Sequence, residues 1–252
     1  MKMDYYVFGN GPVPMIILPG LSITPVTPSG AQVAEAYSIF EKDFTVYLID
    51  RRTDISKGYS VYDMADDTAA LMRELNIENA CIYGVSQGGM IAQIIAARYP
   101  ELTGKLCICS STSYTGDSIG TLLDIKLMAE NKDRRGLNAS FAELIYSEEF
   151  YDQFKSVIAD MSEAITDEDM ERFEIYSSAS DGFDIRNELA SVDKPVFIIG
   201  SRKDKVISPS AILETAEYLK TDTSVFLYSG YSHAVYDEAP DIKERIYSFF
   251  RG

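Results

Sequence analysis

"ACIYGVSQGGMIAQ", residues 80–93, joins an apolar run rich in strand-forming side chains to a run with helical spacing, through one serine. Glycines stand two places to either side of it, Gly84 and Gly88, and Gly89 follows. Upstream, "ACIYGV" is apolar throughout, as a strand covered on both faces must be. Downstream, Met90 pairs with Ile94 and Ile91 with Ile95 until Pro100 ends the pattern. A sharp strand–Ser–helix turn strains the serine backbone and crowds the chain two residues away on each side. Gly84 and Gly88 relieve that crowding, and Gly89 lets the helix sit close to the sheet. This is the pattern G-x-S-x-G in the context that gives it meaning: the turn pushes the Ser86 hydroxyl above the sheet end, under the N–H groups of the following helix. The N–H of Gln87 is then a natural donor to an oxyanion.

A serine hydroxyl attacks a carbonyl at neutral pH only with a base beside it, usually an imidazole oriented by a carboxylate. The chain has one histidine. His233 lies in "YSGYSHAVYDEAP", after the last strand-like run and before the final helical one. Asp204, in "PVFIIGSRKDKVISP", follows an earlier strand-like run, although an aspartate between Lys203 and Lys205 also reads as a surface ion pair. The order Ser86, Asp204, His233 is the one this turn calls for. A second oxyanion donor is expected from the loop of an earlier strand, where "MIILPGLS" supplies Pro19, Gly20 and the N–H of Leu21.

Around this stretch, "MIIL" (15–18), "FTVYLI" (44–49), "KLCICS" (105–110), "PVFIIG" (195–200) and "SVFLYS" (224–229) read as further strands. The runs "SVYDMADDTAALMRELNI" and "PDIKERIYSFF" read as helices between and after them. Strand alternating with helix predicts an α/β fold with a mostly parallel central sheet covered by helices on both faces. The alternation stops between about Thr115 and Phe183. There "SIGTLLDIKLMAE", "GLNASFAELIY", "EEFYDQFKSVIADMSEAI" and "TDEDMERFEIYSS" carry helical patterns only, with Thr166 as a helix start. The expected division is a core of residues 1–114 and 184–252 with a helical cap, 115–183, inserted between two strands.

Charge narrows the function. Of a formal net charge of −16, residues 115–185 carry −11, from 17 acidic against 6 basic side chains. A polyanion is repelled and no basic cluster offers an exception, so nucleic acid is excluded as a partner. A small-molecule substrate is expected. Cys81, Cys107 and Cys109 lie in apolar runs without metal-ligand spacing, so free buried thiols are expected and neither a metal nor another cofactor is called for. No apolar run reaches the roughly 18 residues of a membrane span, and "MKMDYYVFGNG" lacks the apolar stretch of a signal peptide. A cytoplasmic protein is expected. Nothing in the sequence sets the oligomeric state.

With "GVSQGGMIAQ", "LPGLS", "DKVISP" and "GYSHAVYDEAP" in this order, nearly the whole chain resembles the α/β-hydrolase superfamily. The likeness is to its small capped members, which include carboxylesterases, enol-lactonases and C–C bond hydrolases. The resemblance implies that Ser86 is the nucleophile, His233 the base and Asp204 its orienting acid, with Leu21 and Gln87 donating to the oxyanion. Two stretches depart from the family pattern: Pro19-Gly20 stands where many relatives have His-Gly, and "DRRTDISKG" replaces D-x-R-G-x-G. Both alter the pocket edge and remove no catalytic atom. The preferred reading is a serine hydrolase acting on a small to medium, largely apolar carboxylic ester. A lactonase or C–C hydrolase, a cap-gated aminopeptidase and a slow-turnover receptor are the alternatives.

Overall fold

The computed structural model describes residues 3–116 and 123–252. Seven strands form one sheet: β1 (Tyr5–Phe8), β2 (Val13–Leu18), β3 (Phe44–Ile49), β4 (Ala80–Val85), β5 (Thr103–Cys109), β6 (Val196–Ser201) and β7 (Thr223–Tyr228). Their order across the sheet is β1-β3-β2-β4-β5-β6-β7. Every pairing is parallel except β1 with β3. The chain runs outward in one direction from β2 to β3 and in the other from β4 to β7. The crevice between the carboxyl ends of β2 and β4 is therefore the switch point where such sheets bind ligands.

The sheet separates two cores. Ile16, Ile82, Leu106 and Ile198 point to one face, with α2 (Val61–Glu74) and α3 (Gln87–Arg98) packed there. Cys81, Tyr83, Cys107, Cys109 and Ile199 point to the other, against Ile242, Ile246 and Phe250 of α10 (Ile242–Arg251). Alternate residues of β4 thus enter different cores, and for that reason its sequence shows no polar alternation.

Two edges depart from the expectation. β1 is an additional strand, four residues long, whose Tyr5, Tyr6 and Val7 are exposed; a short antiparallel edge has neither the length nor the buried run that marks its neighbours. At the other edge β7 is largely half-buried or exposed. The short α1 (Gly30–Ala36) between β2 and β3, and α9 (Pro209–Tyr218) before β7, complete the packing.

Between β5 and β6 the chain forms α4 (Leu123–Glu130), α5 (Arg134–Ile145), α6 (Glu148–Met161) and α7 (Asp167–Ser178), then the single turn α8 (Arg186–Leu189). The first part of the predicted helix at 118–130, Leu122 included, lies outside the described residues. Ile125, Ala129, Leu137, Ile165, Met170 and Phe173 form a third core that belongs to this insertion, joined by Ile23 from the β2–β3 connection. Thr166 caps α7: its hydroxyl accepts the Asp169 N–H while the Asp169 carboxylate accepts the Thr166 N–H. Entry and exit meet where Tyr114 bridges Asp184 and the Thr115 N–H donates to the Phe183 carbonyl at 2.9 Å. Among the described residues, no helix is long and apolar enough to cross a membrane.

Candidate active site

Ser86 sits between β4 and α3 with φ +50° and ψ −118°, a region non-glycine residues rarely occupy. The surrounding ladder holds it there. Its N–H donates to the Cys109 carbonyl at 2.8 Å, and its carbonyl accepts from the Ser111 hydroxyl at 2.7 Å. A Cβ on Gly84 would lie 2.4 Å from the Gly88 carbonyl oxygen, and one on Gly88 2.1 Å from the Leu18 carbonyl oxygen. Gly89 makes room for a specific neighbour, since a Cβ there would stand 2.5 Å from the Ser111 side chain. The glycine spacing therefore allows three elements, β4, α3 and the end of β2, to converge beside one serine.

The three candidate side chains meet, although 147 residues separate the first from the last. His233 Nε2 is 2.9 Å from Ser86 Oγ, and its Nδ1 lies 3.0 and 2.9 Å from the two Asp204 oxygens. His233 and Asp204 are buried. Asp204 pairs with neither adjacent lysine; its Oδ1 instead accepts the N–H groups of Val206 and Ile207, each at 2.8 Å. Those bonds fix the carboxylate in its loop and aim it at the imidazole.

Several residues that no sequence pattern singles out tie the two loops down. The Ser110 hydroxyl donates to the His233 carbonyl at 2.7 Å. Ser201, ending β6, donates to the Tyr231 carbonyl and accepts the Lys203 N–H, and so joins the loop of Asp204 to that of His233. The Ala234 N–H donates to the Ile145 carbonyl at 2.8 Å, linking the residue after the histidine to the helical insertion. The Gln87 side chain makes a second link, its Nε2 donating to the Tyr176 carbonyl at 2.7 Å and the Ser180 hydroxyl at 2.9 Å.

Gly20 approaches the serine closely: a Cβ there would be 3.3 Å from Ser86 Cβ. Among the described residues, neither the Leu21 nor the Gln87 backbone N–H has a protein acceptor, as donors reserved for a ligand require. The loop carrying Leu21 is held from "DRR". Arg51, buried, donates to the Pro19 carbonyl at 3.0 Å, and Asp50 accepts the Val26 and Thr27 N–H groups at 2.7 Å each. Asp50 and Arg51, which precede the point at Thr53 where the glycine-rich pattern is lost, thus clamp the loop.

Two chambers adjoin here, and the serine lies in the first. The first, about 60 Å3, holds Ser86, His233, Gly20 and Leu21. Met90, Phe141, Ile145, Val206 and Ile207 form its apolar side, and Thr115, Ser177, Ser180 and the ion pair of Lys126 with Asp181 (2.9 Å) its polar side. The second, about 370 Å3, shares Gly20, Leu21, Phe141, Ile145 and Tyr236 with it and extends between α1 and the α5–α6 pair. Among the described residues, no cluster of His, Cys, Asp and Glu is arranged to hold a metal ion.

The sequence profile of the α/β hydrolase fold family matches residues 13–165, more than half of the chain, and the chain belongs to that family of hydrolases. It is 25% identical to the 2-(acetamidomethylene)succinate hydrolase of Mesorhizobium japonicum, with 93% of this chain and 86% of that protein covered. Its fold matches an α/β hydrolase enzyme from a Medee basin deep-sea metagenome with a TM-score of 0.88 at 20% identity, over 99% of this chain and 94% of that one. It also matches the enol-lactonase of Burkholderia xenovorans, with a TM-score of 0.83 at 19% identity over 99% and 96% of the two chains.

Proposed function

We propose that this hydrolase cleaves a small to medium carboxylic ester with a largely apolar body, through an acyl-enzyme formed on Ser86. The observation that carries the reading is the continuous hydrogen-bonded series from Ser86 Oγ through His233 to Asp204, at 2.9 Å and 2.9–3.0 Å. His233 takes the hydroxyl proton as Ser86 attacks the substrate carbonyl. The Leu21 and Gln87 N–H groups receive the oxyanion, the interaction that strengthens as charge develops. The imidazolium then gives its proton to the leaving alkoxide, and water activated by the same histidine releases the acid. Asp204 holds the imidazole tautomer and orientation that this sequence of transfers needs. In this reading residues 115–183 act as a cap, whose Phe141 and Ile145 roof the reacting carbonyl and exclude water from it.

An internal ester suits the same steps, and the likeness to an enol-lactonase supports including lactones among the substrates tried. The test is labelling by a fluorophosphonate, run on the wild-type protein and on Ser86→Ala, followed by 4-nitrophenyl esters of increasing acyl length. Labelling of the wild type and loss of it in Ser86→Ala are expected, with turnover on short and medium chains. A folded wild type that takes no label, or equal labelling of the variant, overturns the assignment.

A further inference from the structure

The second chamber carries a charge that the proposed reaction does not use. Its walls are mostly apolar or aromatic, with Ser22, Thr24 and Asn138 as uncharged polar residues, and among the described residues Asp237 is the one charged side chain on them. The Asp237 carboxylate accepts the Tyr146 hydroxyl at 3.0 Å, and no described lysine or arginine lies within ion-pair distance of it. Lys243, the cation that acts on it, donates to the Tyr236 carbonyl at 2.9 Å and stands 5.7 Å from the centre of the Tyr37 ring. Asp237 is exposed rather than buried; partial desolvation raises its carboxyl from the ordinary value, while the Tyr146 hydrogen bond and Lys243 act in the opposite sense.

A ligand that covers this exposed, unpaired carboxylate takes it out of water at a cost that a neutral apolar ligand does nothing to relieve and an anion makes worse. A cation relieves it. Tyr37, Tyr146 and Tyr236 line the same chamber, and aromatic faces around a carboxylate attract an ammonium through the ring quadrupoles as well as the charge. The polar side of the first chamber offers no rival for the opposite sign, because Lys126 is already neutralised by Asp181. The −11 carried by residues 115–185 favours approach of a cation from outside.

We propose that the second chamber receives the ammonium head of a cationic substrate, with Asp237 as its counter-ion and the three tyrosines as its walls. This rests on the reading of Ser86 as nucleophile, for it makes the scissile ester lie where the two chambers meet. Tyr236 stands at that junction, its ring edge-on to the His233 ring at 6.4 Å between centres, so the head and the reacting carbonyl are neighbours.

The test separates binding from hydrolysis. Calorimetry on the Ser86→Ala protein compares choline with its uncharged carbon isostere 3,3-dimethylbutan-1-ol, and the same pair is run on Ser86→Ala carrying Asp237→Asn or Asp237→Glu. Choline is expected to bind about tenfold or more tightly than the alcohol, the size of a partly desolvated cation–π and charge contact. The preference should vanish with Asn and survive with Glu. Equal binding of the pair, or a preference that persists in the Asn variant, overturns the proposal. In the wild type, butyrylcholine against 3,3-dimethylbutyl butyrate, and 4-nitrophenyl esters of trimethylammonio acids against their carbon isosteres, show whether the head belongs to the alcohol or the acyl part. Choline preference in a protein that takes no fluorophosphonate would overturn the reading of Ser86 as nucleophile and leave the chamber assignment standing.

Discussion

The hydroxyl of Ser110 holds the main-chain carbonyl of His233 at 2.7 Å, across 123 residues of sequence. It fixes the backbone of the imidazole from the end of β5 and touches no reacting atom. Ser110→Ala should therefore lower kcat with little change in KM, by about fivefold for the loss of one buried hydrogen bond of about 1 kcal/mol. Steady-state kinetics on a 4-nitrophenyl ester, with the melting temperature as a check on folding, decides it. A change confined to KM would remove Ser110 from the positioning of the base.

The glycines of the turn separate stability from activity. Gly88→Ala drives a Cβ to 2.1 Å from the Leu18 carbonyl oxygen, a backbone atom that cannot swing aside. It should destabilise the protein by about 3 kcal/mol or prevent its accumulation. Gly20→Ala meets Ser86 Cβ at 3.3 Å, a contact that a small shift of the loop relieves. That variant should fold, with kcat reduced about 10- to 100-fold because Leu21 and Ser86 are both displaced. Wild-type turnover by Gly20→Ala would show that the loop need not approach the serine so closely.

The capping box at Thr166 offers a probe of the insertion alone. Thr166→Ala removes the hydroxyl that accepts the Asp169 N–H at 3.1 Å and should cost about 1 kcal/mol. In a chain of this size that is a fall of about 2–4 °C in Tm. Differential scanning calorimetry reads the loss, and an unchanged Tm would mean that α7 is held by its packing rather than by its cap.

The three thiols set a limit on the alkaline side. Burial pushes Cys81 up to about 11, Cys109 up to about 12 and Cys107 well above its ordinary value. The folded protein thus keeps protons that the unfolded chain gives up from about pH 8.5. Stability is full below that pH and falls as pH rises through it, by up to about 1.4 kcal/mol per unit for each thiol. Urea unfolding between pH 7 and 10.5 should show midpoints dropping with increasing steepness. In the native state at pH 8 the cysteines should resist iodoacetamide; rapid alkylation of the folded chain would contradict their burial.

What could be read from the sequence was the part whose causes are local. Gly84 and Gly88 flank Ser86 because the turn needs them within two residues. The parallel strands show as apolar runs because both faces are covered. The three candidate side chains were legible because the family order and a single histidine left little choice. β1 was not, since a four-residue exposed edge has no pattern of its own and exists through its partner β3. Ser110, Ser111 and Ser201 were equally silent, for a serine that ties loops together looks like any other until the distant carbonyl is in place. Asp237 was hidden for a different reason. It lies in the quoted "YSGYSHAVYDEAP", but only the tertiary arrangement of Tyr37 and Tyr146 turns it from an acidic helix residue into the charged wall of a chamber.

The hydrogen bond from Ala234 to Ile145 joins the insertion to the backbone that bears the imidazole. A displacement of α5 that parts these two atoms takes one support from the histidine loop, which the Ser110 and Ser201 hydroxyls go on holding. A change in the insertion is therefore felt at the base as well as at the pocket wall, and the two are coupled parts rather than a scaffold with a separate roof.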